Sequence, residues 1–534
     1  MLVDVHEKEI YPASIYFERG LISKIKRASG RYENYIMPGL IDAHVHIESS
    51  MVTPGAFALA AVRHGTAGIV SDPHEIANVM GIEGINYMIS NAEKVPLYFW
   101  FGAPSCVPAT AFESNGALID HKLIEELLLR KEIKFLSEMM NFPGVINDNE
   151  EVWRKIRIAN SLKKPIDGHA PGIKGESLKK YISAGISTDH ECVSLEEAKE
   201  KIANGMKIII REGSAARNLD ALKELIRTNP DMVMLCSDDI HPEMLVSRHI
   251  NKLVSGLICD GFDIFNVIRS CTLNPVLHYN LEAGLLKPGH SADFIVVDDY
   301  RRMNVLETWI HGHKVYDRGK ILFTYQKGPA INKFNCSMIT PDQIRIKRDG
   351  KRIQVIEAFD GELLTKRKYI ESGDREIIEA DIKEDILKIV VKDRYRDARP
   401  AVGFIKGFGM KTGAFASSVA HDSHNIICVG SNDNDIVSAI NEIVKLKGGI
   451  SVASGERISS LQLNIAGIMS DNTCGEVAGG YETLTGIVRS MGCNLKAPFM
   501  TLSFMALLVI PELKISDRGL FDVERFCPAS LFVD

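Results

Sequence analysis

"PGLIDAHVHIESSM", Pro38 to Met51, is the stretch on which the reading of the fold turns. A short apolar run, Gly39 to Ala43, ends in two histidines one residue apart, and Glu48, Ser49 and Ser50 follow at once. Side chains alternate faces along a strand, so His44 and His46 point the same way, into whatever the strand lines. Two imidazoles on one face at the end of an apolar strand suit a metal ion. The pair alone carries little weight. With 16 histidines in 534 residues a chance His-x-His pair is ordinary, and "WIHGHKV" supplies a second at His311 and His313. The weight falls on what stands at matching positions elsewhere.

From about residue 36 to about 285, short apolar runs alternate with amphipathic stretches, the pattern of parallel β/α units. Eight strand candidates stand out: "GLIDAHVH", "TAGIVSDPHE", "LYFWFGAPS", "IKFLSEMMN", "PIDGHAPG", "ISTDHEC", "MKIIIREGS" and "MVMLCSDDIHP". The intervening helices carry their own punctuation. Ser194 and Glu197 have capping-box spacing, and Gly205 sits where a C-terminal cap belongs. Eight such units predict a closed (β/α)8 barrel, whose chemistry gathers at the C-terminal strand ends. Polar residues recur there: His44 and His46, Asp72 and His74, Glu138, His169, Asp189 to Glu191, Arg211, Glu212 and Ser214, then Asp238 and Asp239. One buried histidine is ordinarily a hydrogen-bonded core residue. Metal-type side chains at the same end of five or more strands are hard to obtain as independent accidents.

Bulk properties narrow the class. A chain of 534 residues has room for two to four domains. The formal charge of −6 argues against a nucleic-acid partner. The N-terminus has no apolar signal segment, and "APFMTLSFMALLVIP", cut by Pro498 and Pro511, is too short to span a bilayer, so no membrane association is expected. Ten cysteines without a Cys-x-x-Cys spacing read as thiols of a cytoplasmic protein.

Taken together, "PGLIDAHVHIESSM", "DPHEIANVMG", "SEMMNFPGV", "DGHAPG", "REGSAARNL", "CSDDIHP" and "VAHDSHNI" closely resemble the adenine deaminases of the amidohydrolase superfamily, in family order and over nearly the whole chain. The resemblance implies hydrolysis of adenine to hypoxanthine and ammonia in purine salvage. It implies two divalent transition metal ions, Mn2+ or Fe2+ ahead of Zn2+; ligand type alone does not choose among them. His44 and His46 would hold one metal with Asp238, His169 and His190 the other, and Glu138 would bridge them in place of the carboxylated lysine of many relatives. Attack of a metal-ionised water at C6 needs protons moved to ring N1 and to the leaving ammonia. Asp238 is the first candidate for that, with Asp239 left open by the "SDD" run and Glu48 as an orienting or proton-transfer residue.

Arg211, Glu212 and Ser214 could contact the purine or order the site; an Arg211–Glu212 structural ion pair is the plain alternative. Asp72 and His74 either order the rim or take an extra metal. His421, in a polar loop with Asp422 and His424, is a candidate purine contact or part of a satisfied turn. His311 and His313 read as surface or turn residues.

The domain expectation is a small β-sandwich made of residues 1–35 and 286–333, a barrel over 36–285 and an α+β domain over 334–534. A homodimer or larger homo-oligomer is expected. Two rivals remain at this stage: a cyclic amidohydrolase of the hydantoinase or dihydroorotase kind, and a non-catalytic scaffold on the same barrel.

Overall fold

The eight runs form eight strands: β1 (Leu40–Val45), β2 (Thr66–Ser71), β3 (Tyr98–Ala103), β4 (Ile133–Met139), β5 (Ile166–Gly168), β6 (Thr188–Asp189), β7 (Lys207–Arg211) and β8 (Val233–Cys236). The computed structural model describes every residue except Ala215. Strands β1 to β5 pair in parallel in chain order, as do β6 to β8. Parallel bridges from Ile166 to Ile186 and from Val45 to Asp238 join the two sets and close the ring. The strands are short because the barrel needs only a few residues each before the chain turns outward.

Alternation sorts the side chains. Ile41, Val70, Trp100, Phe135, Ile209 and Met234, from six different strands, meet in one buried cluster. On β7, Ile208 and Ile210 instead pack with helix residues such as Val254, Leu257 and Val267. Arg211, two residues beyond Ile209, therefore shares its inward face.

The helix Leu195–Ala203 starts where the cap spacing predicts: the Ser194 side chain accepts from the Glu197 amide at 3.3 Å, and Gly205 follows at φ +91°. The reciprocal half of the box is not made. The Glu197 carboxylate turns to the Gly172 amide and to Lys201 instead.

The chain divides into two compact units: Met1–Pro73, Asn86–Cys106 and Ile119–Gly328 form one, and His74–Ile85, Val107–Leu118 and Pro329–Asp534 the other. The first unit holds the barrel and a composite sandwich. Its seven-stranded sheet joins the two ends of that unit, with Leu2 beside Ile36 and Phe294 opposite Pro38, while the hairpin Ala13–Arg27 supplies Ile15, Phe17 and Ile22 to a core with Phe294 and Trp309.

In the second unit a nine-stranded sheet carries the helix Asp433–Leu446. Ile436, Ala439, Ile440 and Ile443 recur at helical spacing and bury against Ala414, Ile426 and Cys428. Asn432 caps this helix by accepting from the Asp435 amide. The hairpin expected in "KRIQVIEAFDGELLTKRKYI" is present, with Arg352 opposite Glu371. No described helix is long and apolar enough to cross a membrane.

Lys514 is fully buried in the second unit, and its ammonium donates only to carbonyls, of Leu363 at 2.6 Å and Phe504 at 3.0 Å. Burial lowers its pKa to about 7. A lysine with a depressed folded pKa binds fewer protons than the unfolded chain between the two values, so stability rises with pH across that window. From pH 7 to pH 9 the wild type should gain about 2–3 kcal/mol relative to Lys514→Met. Denaturant unfolding at the two pH values, monitored on the second unit, checks this; a difference independent of pH would refute it.

Candidate metal centre

β1 ends at Val45, but His46 stays extended (φ −90°, ψ 99°) before the single turn Ile47–Ser50 begins, so both imidazoles keep the same side. Their Nε2 atoms lie 3.2 Å apart. Asp238 Oδ1 is 3.4 Å from His44 Nε2 and 3.3 Å from His46 Nε2. Asp238 reaches this point from beyond the end of β8. Its φ of +54° turns the chain back, its N–H donates to the His44 carbonyl and its own carbonyl accepts from His46 N–H. Simple alternation along β8 therefore does not set the direction of Asp238 and Asp239. The backbone turn does, and Asp239 accepts from the Ser49 hydroxyl instead.

Glu138, on β4, joins this trio to a second group. Its Oε1 is 3.5 Å from His46 Nε2, while its Oε2 is 2.9 Å from His169 Nδ1 and 3.1 Å from His190 Nε2. All six residues are more than nine-tenths buried. Burial pushes the Glu138 carboxyl up, but the His169 and His190 rings outweigh it and hold it well below the usual carboxylate range. Burial likewise raises Asp238, and Arg211 with the His44 and His46 rings overrides it.

These atoms fit a cation. His46 Nδ1 lies 3.1 Å from the Asp72 carbonyl and must donate to it, so His46 Nε2 carries a lone pair. That lone pair faces two carboxylate oxygens, Glu138 Oε1 and Asp238 Oδ1, an arrangement that a cation among them would relieve. Metal–ligand bonds of about 2.1 Å place tetrahedral ligand atoms roughly 3.4 Å apart, the spacing seen in the His44, His46 and Asp238 trio. His44, His46 and Asp238 form one group that could hold a metal ion, and His44, Glu138 and His190 another.

Around them stands a buried framework. Arg211 contacts both Glu191 oxygens and donates to Asp238 Oδ2 at 2.9 Å. The open alternative of an Arg211–Glu212 pair is not what forms: neighbours on a strand face opposite ways, and Glu212 pairs with Arg217 at 3.3 Å. Ser214 accepts from the His241 amide and approaches the Met244 sulfur at 2.9 Å. A Cβ at Gly213 would lie 2.3 Å from the Ser237 carbonyl oxygen, so only glycine lets the end of β7 approach the turn that aims Asp238. Glu48 is buried in the turn after His46, where its carbonyl accepts from Met51 N–H. His74 and His421 belong to the second unit, where His74 Nε2 is 3.4 Å from Glu75 and the Glu75 carboxylate receives His421 Nδ1 on one oxygen and His424 Nε2 on the other. His311 lies away from the site, its ring 3.1 Å from the Tyr98 hydroxyl.

Asp42 and Lys201 are not among the sequence-predicted site residues, and Asp189 stands out only as one of the polar residues at a strand end. Asp42 accepts from Ser237 N–H and the Ser237 hydroxyl, tying β1 to the segment after β8. Asp189 accepts the amides of Ala170, Glu191 and Cys192, next to the two histidines His169 and His190. Lys201, with no exposed surface, joins Asp189 at 3.0 Å, Glu197 at 2.8 Å and the Ala170 carbonyl at 2.8 Å. Lys201→Met would leave Asp189 charged and uncompensated, and should cost about 3–5 kcal/mol. A thermal-melting comparison checks it; an unchanged midpoint would show that the pair contributes nothing.

A closed eight-stranded barrel with histidines and acids converging at its C-terminal strand ends defines a metal-binding hydrolase fold, and the amidohydrolase family profile matches residues 35–315. A second profile, the adenine deaminase C-terminal domain, matches residues 362–527. The chain is 49% identical to a protein of Methanosarcina mazei named adenine deaminase, over 100% of this chain and 99% of that one. It is 50% identical to the adenine deaminase of Methanosarcina barkeri, over 100% and 98%. A solved β-aspartyl dipeptidase of Fervidobacterium islandicum is more distant, with 16% identity, a TM-score of 0.47, and coverage of 60% of this chain and 96% of that one. The chain belongs to the adenine deaminase family.

Proposed function

We propose that this chain hydrolyses adenine to hypoxanthine and ammonia with a pair of divalent metal ions held by His44, His46, Asp238, His169 and His190 and bridged by Glu138. The full-length relatives named adenine deaminase support the substrate. The observation that carries the site is Glu138, whose two oxygens face two separate histidine groups.

When bound, such a pair supplies Lewis acidity and lowers the pKa of a water near neutrality. The ligand set, imidazole and carboxylate, suits Mn2+, Fe2+ and Zn2+ without choosing among them, and the resemblance places Mn2+ or Fe2+ first. The remaining work falls to the chain. Asp238, ionised and held by Arg211, takes a proton of the attacking water at Oδ1 and passes it to the purine ring nitrogen, then takes the proton of the resulting C6 hydroxyl and passes it to the leaving amine. Asp239 is held on Ser49 and stands by as its neighbour; Glu48 orients the segment after His46. Glu191 and Arg211 order the site through their ion pair, and Glu212 and Ser214, on the same loop, are the residues proposed to meet the purine. Asp72 orients His46 through its carbonyl.

The same reading makes the barrel, the composite sandwich and the C-terminal α+β region the three working parts, in a cytoplasmic homo-oligomer. One assay tests the reaction. The full chain loaded with Mn2+, Fe2+ or Zn2+ is offered adenine, adenosine, cytosine and hydantoin. Hypoxanthine and stoichiometric ammonia from adenine are expected. Ring opening of hydantoin with adenine untouched would replace the proposal by a cyclic amidohydrolase.

A further inference from the structure

Glu138 and His169 come from neighbouring strands, and the ladder between those strands is irregular where the two residues stand. Ile166 of β5 pairs with Leu136 of β4, but Gly168 pairs with Met139, so β4 carries one residue more than β5 over this interval and Glu138 lies within it. Such a bulge re-aims a side chain and leaves backbone groups unpaired. The Glu138 carbonyl turns to the Ser105 hydroxyl at 2.5 Å and the Met140 amide at 3.0 Å. The ladder therefore does not fix the distance from Glu138 to His169.

A side chain from the helix after β5 fills the gap. Tyr181, on the helix Gly175–Ser183, is fully buried. Its hydroxyl accepts from the His169 amide at 3.1 Å and donates to the Met139 carbonyl at 2.8 Å. A parallel ladder joins amide to carbonyl directly. Here one hydroxyl stands between them, tied to the residue after Glu138 and to His169 itself. Room for the ring comes from Gly168, where a Cβ would lie 3.2 Å from Tyr181 Cε1 and 2.3 Å from the Thr188 carbonyl oxygen. The neighbouring amides are also held by side chains, Gly168 by the Thr188 hydroxyl at 3.2 Å and Ala170 by Asp189 at 2.8 Å. With its backbone so held, His169 brings Nδ1 to 2.9 Å from Glu138 Oε2.

We propose that Tyr181 is a positioning residue of the metal centre: its hydroxyl, inserted between β4 and β5, sets the spacing of Glu138 and His169 and with it the grip on the ion that His169 would hold. The inference rests on the ligand set proposed above. Groups that orient metal ligands from behind change metal affinity about 10–100-fold when they are lost. Phe at this position keeps the ring and its packing, alters no charge, and leaves the His169 amide and the Met139 carbonyl without their shared partner.

The full chain, stripped with a chelator, is titrated with Co2+ and followed by visible absorption beside elemental analysis. The wild type should take two equivalents. Tyr181→Phe should take one of them as the wild type does and the other about 10–100-fold more weakly. Two equivalents bound with wild-type affinity would overturn the role even where the thermal midpoint falls, because a merely structural tyrosine moves the melt and not the titration. Tyr181→Met, with a flexible apolar side chain, carries the same expectation where the Phe variant fails to fold. His169→Ala tests the ligand set separately and should lose one equivalent outright. If it keeps both, the ligand set falls and the inference with it; if it loses one while the Tyr181 variants bind both as the wild type does, the inference alone falls.

Discussion

Glu138→Gln should lower kcat for adenine by about a thousandfold or more and take metal content from two ions per chain toward one. The side chain keeps its length and one carbonyl oxygen, so the packing on β4 is barely disturbed. What it loses is the second anionic oxygen, and in this site the two oxygens face different histidine groups, His46 on one side and His169 with His190 on the other. An amide nitrogen has no free lone pair to give to a cation. Several kcal/mol of transition-state stabilisation rest on the pair of ions, and each 1.36 kcal/mol is tenfold in rate. Elemental analysis beside steady-state kinetics checks both halves. A Gln variant with full metal content and wild-type kcat would remove Glu138 from the centre.

The second large effect belongs to Asp238. Asp238→Asn should lower kcat by about 10²–10⁴-fold, the span of a lost general acid or base. It also weakens one metal position, because Oδ1 lies 3.4 Å or less from both His44 and His46. The two roles separate in the measurement. If the variant is saturated with metal and kcat stays low, proton movement is the missing function. Recovery of wild-type kcat at saturating metal would leave Asp238 only a ligand. Asp239→Asn is the control, since its carboxylate is engaged by the Ser49 hydroxyl.

Much of the barrel was legible because its signals are local. Each of the eight quoted runs contains the strand that forms, since a buried parallel strand must be apolar through its length and can turn polar only at its end. His44, His46, Glu138, His169 and His190 stood out for the same reason: a polar rim on an apolar strand is visible one segment at a time. Partnerships were not visible. Nothing in "REGSAARN" says that Arg211 passes over its neighbour Glu212 to reach Glu191, because the choice is made by strand alternation and by a residue 20 positions away. The direction of Asp238 depended on a left-handed backbone turn, which no side-chain pattern records. Lys201 shows the limit of composition: a lysine in a helix reads as a solvated face, yet this one is buried because two acids await it. The grouping of His74–Ile85 with residues beyond Pro329 was equally hidden, since a segment's own pattern shows that it buries a face but not which distant surface covers it.

That grouping bears on how the chain is made. The second unit is drawn from three separate stretches, the first of which ends at Ile85 and the last of which begins at Pro329. Glu75 leaves the ribosome 346 residues ahead of His421. At roughly 5–20 residues per second the wait is on the order of 20–70 seconds, during which the earlier stretches have no sheet to join. Synthesis from the N-terminus can complete the barrel while its sister unit is still a loose end, so a nascent chain halted near residue 328 is a partly finished object with two orphaned loops, and those loops are where a chaperone would be expected to take hold.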